Sequence, residues 1–359
     1  MKKDHQTIGL LVGIIMVFGL SGGASADEKK VLLKIPTAFS TSLPTLGECM
    51  PFFKEYVEAA SENTIRVKIY EPGKLMPAFE IHDAVSTGKV NAGYTAPVYL
   101  AGKVKTTELF TYIPFGAALP AYLGWFYHGN GKQLYQEMYD QAGYNLKAFP
   151  FCFLAPETGG WFRKPIDSPE DLKGLNIRWP GLGGKVLQKL GASVSLIPGG
   201  EIFPALEKGA LDGTEFSVPA IDTKLGFYKV AKYNYFPGWH QPATHLELIL
   251  NKDTWNEMSP RQQAVMELAT RAVNVYTLSR SSMQQGQVVK RNAEEHGVEN
   301  RVYSQEMLDL FQKTWIEVIE EEAANDPFLK KVWEDYKAYE AEKYDPWACK
   351  AFLPRPGCK

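Results

Sequence analysis

The chain has 359 residues, 45% of them apolar and 13% aromatic, and a formal net charge of −2. That composition supports a large hydrophobic core, and the length fits two lobes better than one small domain. Acidic and basic residues are interspersed, with no Lys/Arg-dense block or basic stripe, which excludes a nucleic-acid-binding surface.

The first 26 residues read as a leader. Lys2 and Lys3 precede an apolar run from Ile8 to Leu20, and Ala24-Ser25-Ala26 supplies a small-x-small cleavage pattern before Asp27. The run is shorter than the ~20 residues a membrane span needs, so export with cleavage is expected over an uncleaved anchor. Four cysteines follow. Cys349 and Cys358 enclose "CKAFLPRPGC" and are expected to close that loop in an oxidising compartment, whereas Cys49 and Cys152 sit in apolar surroundings and read as buried thiols.

Chain order then gives a strand in "KVLLKIPTAF", a helix over 46–61, a strand in "IRVKIYEPG", a helix in "PAFEIHDAVSTGKV" and a short strand in "NAGYTAP". This alternation predicts an α/β unit with a mostly parallel sheet. Tyr94 falls at the carboxyl end of the last strand, where ligands approach open sheets; packing is the rival role for it. Helices are predicted near Pro120 and Gly131, then a strand in "NLKAFPFCFL". A second unit repeats the rhythm through "SPEDLKGL", "LNIRWPG", "GGKVLQKLG", "SVSLIP", "GEIFPALEKGAL" and "GTEFSV". Two similar lobes with a cleft between them follow. From Ser259, an N-cap with Pro260 in the first turn, one long helix is predicted to run to Gly297, enough to span both lobes. Two amphipathic helices close the chain. Their stripes, Trp315, Val318, Ile319 and Phe328, then Val332, Trp333, Tyr336 and Tyr339, pack on the chain's own lobe or on a second copy.

No catalytic constellation is present: no GxSxG elbow, HExxH, phosphate loop or dinucleotide fingerprint occurs. The six histidines lack metal-ligand spacing, and "HQPATH" contains a proline that prevents His240 and His245 from sharing a helical face; packing or solvation is expected for His245. What recurs is a single polar residue at the end of an apolar strand: Glu157, Arg178, Glu215 and Gln241. Arg178, inside "LNIRWPG", either faces solvent at an edge, paired with Asp171 or Glu170, or awaits an anionic partner, because an unpaired buried arginine is expensive.

"YEPGKLMPAFEIHDAVSTGKVNAG", "GGWFRKPIDSPEDLKGLNIRWPGLGGKVLQKLGA", "PGGEIFPALEKGALDGTEFSVP" and "YKVAKYNYFPGWHQP" occur in the order of one family. They resemble the periplasmic substrate-binding proteins of tripartite ATP-independent periplasmic (TRAP) transporters, the DctP family, and look closest to the branch that binds 2-oxo acids or lactate-like acids with a cation. The resemblance implies a two-lobed α/β periplasmic-binding-protein fold, with a long helix spanning both lobes and extended C-terminal helices. It places the first lobe at 27–151 plus about 242–280, the second at 152–241 plus about 281–325, and a possible dimerisation element at 326–359.

It also implies a soluble periplasmic receptor, not an enzyme, that binds a small organic monocarboxylate and delivers it to the membrane permease subunits; a sensor subunit and an exported metal-dependent enzyme are the alternatives. By position, Arg178 takes the carboxylate, with Glu157 and Gln241 as further contacts; from the residues themselves, one or two of Trp161, Trp179 and Trp239 are expected to line the pocket with the third in the core, and Tyr94 and Tyr99 are candidates from the other lobe. Glu157, Glu215, Phe216 (through its backbone carbonyl) and Gln241 hold the cation, Ca²⁺ or Na⁺. Two departures stand out: Glu157 where glutamine is common, and Phe216 where tryptophan is. Two glutamates and a ligand carboxylate against one arginine leave net negative charge in a dry cleft, which a hard cation restores. Glu157 in glutamine's place tilts that cation towards Ca²⁺; the rival roles are a rim residue or a partner for a ligand ammonium group.

Overall fold

The computed structural model describes residues 28–351. The leader, Cys358 and the side chain of Cys349 lie outside the described residues, and with them the expected cleavage site and C-terminal bridge.

In the first lobe, Val31–Pro36 pairs in parallel with Ile65–Tyr70, and Thr37 bridges to Tyr94 on the strand Ala92–Thr95. Thr244–Asn251 then lies between Ala92–Thr95 and Leu146–Leu154, antiparallel to both. The sheet is therefore mixed, not mostly parallel. Its central strand arrives late in the chain and is buried at all eight positions, so it carries no alternation by which to read it.

The second lobe has six strands in the order Glu299–Val302, Tyr233–Phe236, Trp161–Phe162, Gly213–Thr214, Asn176–Arg178 and Ser193–Ser195. All pairings are parallel except those of Trp161–Phe162. Arg178 is in register with Thr214. Glu215 directly follows Thr214, so two adjacent parallel strands deliver Arg178 and Glu215 side by side at their carboxyl ends.

The helix Pro260–His296 joins the lobes. Ser259 and Gln262 form a reciprocal capping box at its start, and Gly297 ends it at φ 63°. Its 37 residues span about 55 Å. Asn274 donates to the carbonyl of Pro150 in the first lobe (2.9 Å), and Asn292 donates to Thr223 in the second (2.7 Å).

The C-terminal helices Gln305–Asn325 and Pro327–Tyr339 fold back on the chain itself. Trp315, Val318, Ile319, Val332, Trp333 and Tyr336 are all buried. Trp125 donates to Asp335 (2.7 Å), and Tyr336 accepts from the Ala117 backbone N–H (2.9 Å). Most of the two stripes packs on the chain itself; Phe328 and Tyr339 are half-buried, and the end of the expected dimer element at 326–359 lies outside the described residues.

One buried carboxylate organises the first lobe. Glu247 is fully buried on the central strand and accepts from Tyr135, from Tyr139 (2.7 Å) and from His82 (2.6 Å). Burial would raise its pKa, but the His82 charge and hydrogen bond and the two phenols hold it below the usual carboxylate range. Its folded pKa is depressed, so its stabilisation is fully present above the unfolded value and fades as pH falls through the folded one. Glu247→Gln is expected to lower stability at neutral pH by roughly 3 kcal/mol in urea unfolding, with the gap between variant and wild type narrowing in acid. His245 also behaves as packing. It sits among Tyr122, Phe126, Tyr135 and Phe153, and burial lowers its pKa to about 4.

Candidate ligand and cation site

Arg178 does not face solvent. It is 2% exposed; its Nε donates to the carbonyl of Ile197 (3.3 Å), its Nη1 to the carbonyl of Glu215, and Nη1 lies 3.4 Å from Glu215 Oε2. The Phe216 ring packs 5.3 Å from the guanidinium. Asp171 is engaged with Ser168, and Glu170 with Lys173, so neither meets Arg178. Two backbone carbonyls fix the fork, and the rest of it borders a chamber of about 40 Å³. Phe39, Val98 and Tyr99 wall this chamber from the first lobe; Arg178, Phe216 and Ser217 wall it from the second. It adjoins an open cleft of about 800 Å³, with Phe39 and Phe216 shared between the two.

Glu157, Gln241 and Thr244 line the same chamber from the segments that connect the lobes. Gln241 donates to Thr244 (2.9 Å), and Thr244 donates to Glu157 Oε1 (2.7 Å). This relay leaves Gln241 Oε1 and Glu157 Oε2 buried without a partner among the described residues, as are Glu215 Oε1 and both ring nitrogens of His240. His240 Nε2 lies 3.6 Å from Glu215 Oε1, and one donor atom each from Glu157, Glu215 and His240 fall within 4.8 Å of one another. Buried polar atoms without partners are rare. A convergence of carboxylate, amide and imidazole donors is what a cation site needs, and the oxygen donors favour a hard cation. The residues present fit one.

The protonation states agree. Burial, then the Glu215 charge, push Glu157 well above the usual carboxylate range. Burial also raises Glu215, but the His240 ring 3.6 Å away, the neighbouring Glu157 and the Arg178 charge together hold it below that range. A third buried acid, Asp222, stands behind them; burial and the Glu215 charge raise it, and it accepts from Trp161 Nε1 (2.9 Å).

Of the sequence-selected residues, Arg178, Glu157, Glu215, Phe216 and Gln241 come together. Tyr94, Trp161, Trp179 and Trp239 do not line the chamber. Tyr94 is fully buried, donates to the carbonyl of Leu46 (2.8 Å) and packs against Phe39 and Phe151, because its strand is buried on both faces. Tyr99, on the following turn Pro97–Leu100, takes the position expected of Tyr94, and its hydroxyl has no partner among the described residues. Trp161 belongs to a core with Ile202, Leu206 and Phe227. Trp179 stands behind His240, ring centroids 4.7 Å apart, and supports that imidazole without reaching the chamber. Sequence reading missed His240 and Thr244. Spacing rules look for ligands on one helix, whereas His240 sits on a turn and Thr244 opens the strand Thr244–Asn251; the only signal was their closeness to Gln241.

A family model described as bacterial extracellular solute-binding protein, family 7, matches residues 39–326. The chain belongs to that family. Its members are solute-binding receptors. A monocarboxylate 2-oxoacid-binding periplasmic protein from Nostoc is 34% identical over 319 residues, 89% of this chain and 86% of its own. A TRAP solute-binding protein from Bordetella bronchiseptica, a mixed-occupancy dimer with copurified calcium and picolinate, superposes with a TM-score of 0.86 at 28% identity, covering 90% of this chain and 95% of its own. One from Pseudoalteromonas atlantica, with bound sodium and pyruvate, gives 0.84 at 31% identity, covering 90% of this chain and all of its own. In family 7 terms, the two-lobed α/β fold is shared over nearly the whole described chain. No helix among the described residues is long and apolar enough to cross a membrane.

Proposed function

We propose that this chain is a periplasmic receptor, not an enzyme, that binds a small 2-oxo monocarboxylate together with one cation and presents it to a TRAP permease. One observation carries the reading. Arg178 and the unpartnered oxygens of Glu157 and Gln241 line one small chamber between the lobes, and Glu215, with its own unpartnered oxygen, lies against Arg178 and His240. A guanidinium fork matches a carboxylate and keeps its charge when desolvated. A cation held by Glu157, Glu215 and Gln241, with His240 at hand, neutralises the acids and offers a Lewis acid to the ligand's second oxygen. Tyr99 contributes a hydroxyl from the opposite lobe, so a bound acid would tie the two lobes together. Glu157 adds a second carboxylate where an amide would suffice for a monovalent ion, which favours Ca²⁺ over Na⁺.

Phe39 and Phe216 stand where the chamber of about 40 Å³ meets the open cleft of about 800 Å³, so they face whatever chain extends from the bound carboxylate. Phe39→Ala is expected to strengthen binding of 2-oxohexanoate relative to pyruvate by roughly tenfold, about what two newly buried methylenes supply.

A calorimetric panel of pyruvate, lactate, acetate and succinate, each with Ca²⁺ and with Na⁺, tests the proposal. Pyruvate with Ca²⁺ should bind at one site per chain and more tightly than acetate or succinate. Absence of binding by every 2-oxo acid under both ions would refute it.

A further inference from the structure

Two thiols meet in the core of the first lobe, and neither lines the ligand chamber. Cys49 opens the helix Cys49–Ala60, and Cys152 lies in the strand Leu146–Leu154; both are fully buried and unbonded in this structure. The segment Thr45–Leu46 brings them together. Cys49 donates its N–H to the Thr45 carbonyl (3.1 Å) and its thiol to the Leu46 carbonyl (3.2 Å), while the Cys152 sulfur lies 3.9 Å from that same Thr45 oxygen. The Tyr94 hydroxyl closes the group by donating to the Leu46 carbonyl (2.8 Å). Burial, then the neighbouring Cys152 thiol, push Cys49 well above the usual thiol range.

The backbone at Cys152 is as informative as its sulfur. Phe151 pairs with Leu246 and Phe153 with His245, so Cys152 is the extra residue of a β-bulge, at φ 62°. A bulge residue in that left-handed region is ordinarily glycine, because a side chain is strained there. A cysteine carries the strain here, and the bulge takes its sulfur out of the strand's alternation to the Thr45 carbonyl, beside Cys49. Filling the core would need only a small apolar residue on a regular strand.

We propose that Cys49 and Cys152 are a disulfide site, closed when the chain folds in the presence of an external disulfide as oxidant. Two S–H bonds break and one S–S bond forms; the two electrons and two protons pass, through a mixed disulfide, to the oxidant, which leaves as two thiols. The periplasm proposed for this chain supplies such oxidants, and refolding in vitro reads the bond apart from that location. Because both sulfurs are buried, exchange takes place while the lobe assembles, and the folded lobe then shields whichever state it holds. The bond joins segments roughly 100 positions apart, a loop long enough for a large loss of freedom in the unfolded chain. Leu46, just before Cys49, and Leu154, just after Cys152, both line the ligand chamber. The same bond therefore pins the first-lobe wall of that chamber.

The test uses the mature chain carrying Cys349→Ser and Cys358→Ser, which leaves this pair alone, refolded from denaturant with oxidised glutathione or with reductant. After oxidative refolding, neither cysteine should react with iodoacetamide in denaturant, and unreduced peptide mapping should show a Cys49–Cys152 link within one chain. The melting temperature should lie roughly 5 °C above that of the reduced form, and adding Cys152→Ala should abolish the difference. Reductant added to the folded, oxidised chain should leave the bond intact until denaturant is present. Free thiols or glutathione adducts after oxidative refolding, a link between two chains, or native circular dichroism regained only under reductant would overturn the proposal. So would a bond that leaves the melting temperature unchanged or lowers it.

Discussion

Arg178→Ala is expected to weaken 2-oxo acid binding by about 2–5 kcal/mol, a loss of roughly 30- to 4,000-fold in calorimetry. The guanidinium is held by the carbonyls of Ile197 and Glu215, not by a dedicated carboxylate pair; its nearest carboxylate oxygen is 3.4 Å away at a poor hydrogen-bond distance. It is therefore pre-positioned and incompletely neutralised, so a ligand carboxylate has charge left to engage. Arg178→Lys separates shape from charge. A lysine keeps the charge but loses the fork, so it should recover part of the affinity and not all of it. Normal binding by the alanine variant would remove Arg178 from the site.

Glu215→Gln carries the second large effect. Glu215 is held below the usual carboxylate range while burial raises its neighbours Glu157 and Asp222, and it lies against Arg178 and His240. Replacing it removes the strongest anionic donor, and binding of both Ca²⁺ and the acid should fall by roughly 100-fold or more, beyond the 10–100-fold typical of changes one shell further out. Glu157→Gln should behave differently. Its amide keeps an oxygen donor but removes one negative charge, so acid binding should persist while the preference moves from Ca²⁺ towards Na⁺. Competition between the two ions, read by isothermal titration, distinguishes these outcomes; an unchanged ion preference in Glu157→Gln would exclude charge at that position as the selector.

Much of this site was legible because it is made of residues that are misplaced as folding chemistry. An arginine in "LNIRWPG" and a glutamate after "DGT" sit where apolar strands end, and strand register then sets them side by side. Glu157 and Gln241, on the connecting segments, are singled out as cation donors only by family resemblance, and both line the chamber. His240 was not legible, since its partnership with Glu215 depends on a turn that brings distant segments together. Tyr94 and Tyr99 show the converse limit: both are aromatic, neighbouring and near a strand end, and only the path of the turn Pro97–Leu100 decides which one reaches the chamber. In the fold, the capped long helix followed from Ser259, Pro260 and Gly297. The central strand Thr244–Asn251 did not, because burial on both faces erases the alternation that marks a strand. The C-terminal stripes were visible as apolar faces, but whether a face packs on its own chain or on another is a tertiary fact.

In the proposed site, acid and cation bind as a unit between Arg178 and the Glu157–Glu215–Gln241 donors. Equilibrium dialysis of Ca²⁺ against increasing pyruvate tests it directly, because coupling between two bound species is reciprocal. Pyruvate should raise the affinity for Ca²⁺ by roughly 5- to 150-fold, the usual range of such coupling, and Ca²⁺ should raise the affinity for pyruvate by the same factor. Calcium binding that ignores pyruvate, or pyruvate binding that is unchanged in chelated and sodium-free buffer, would contradict it.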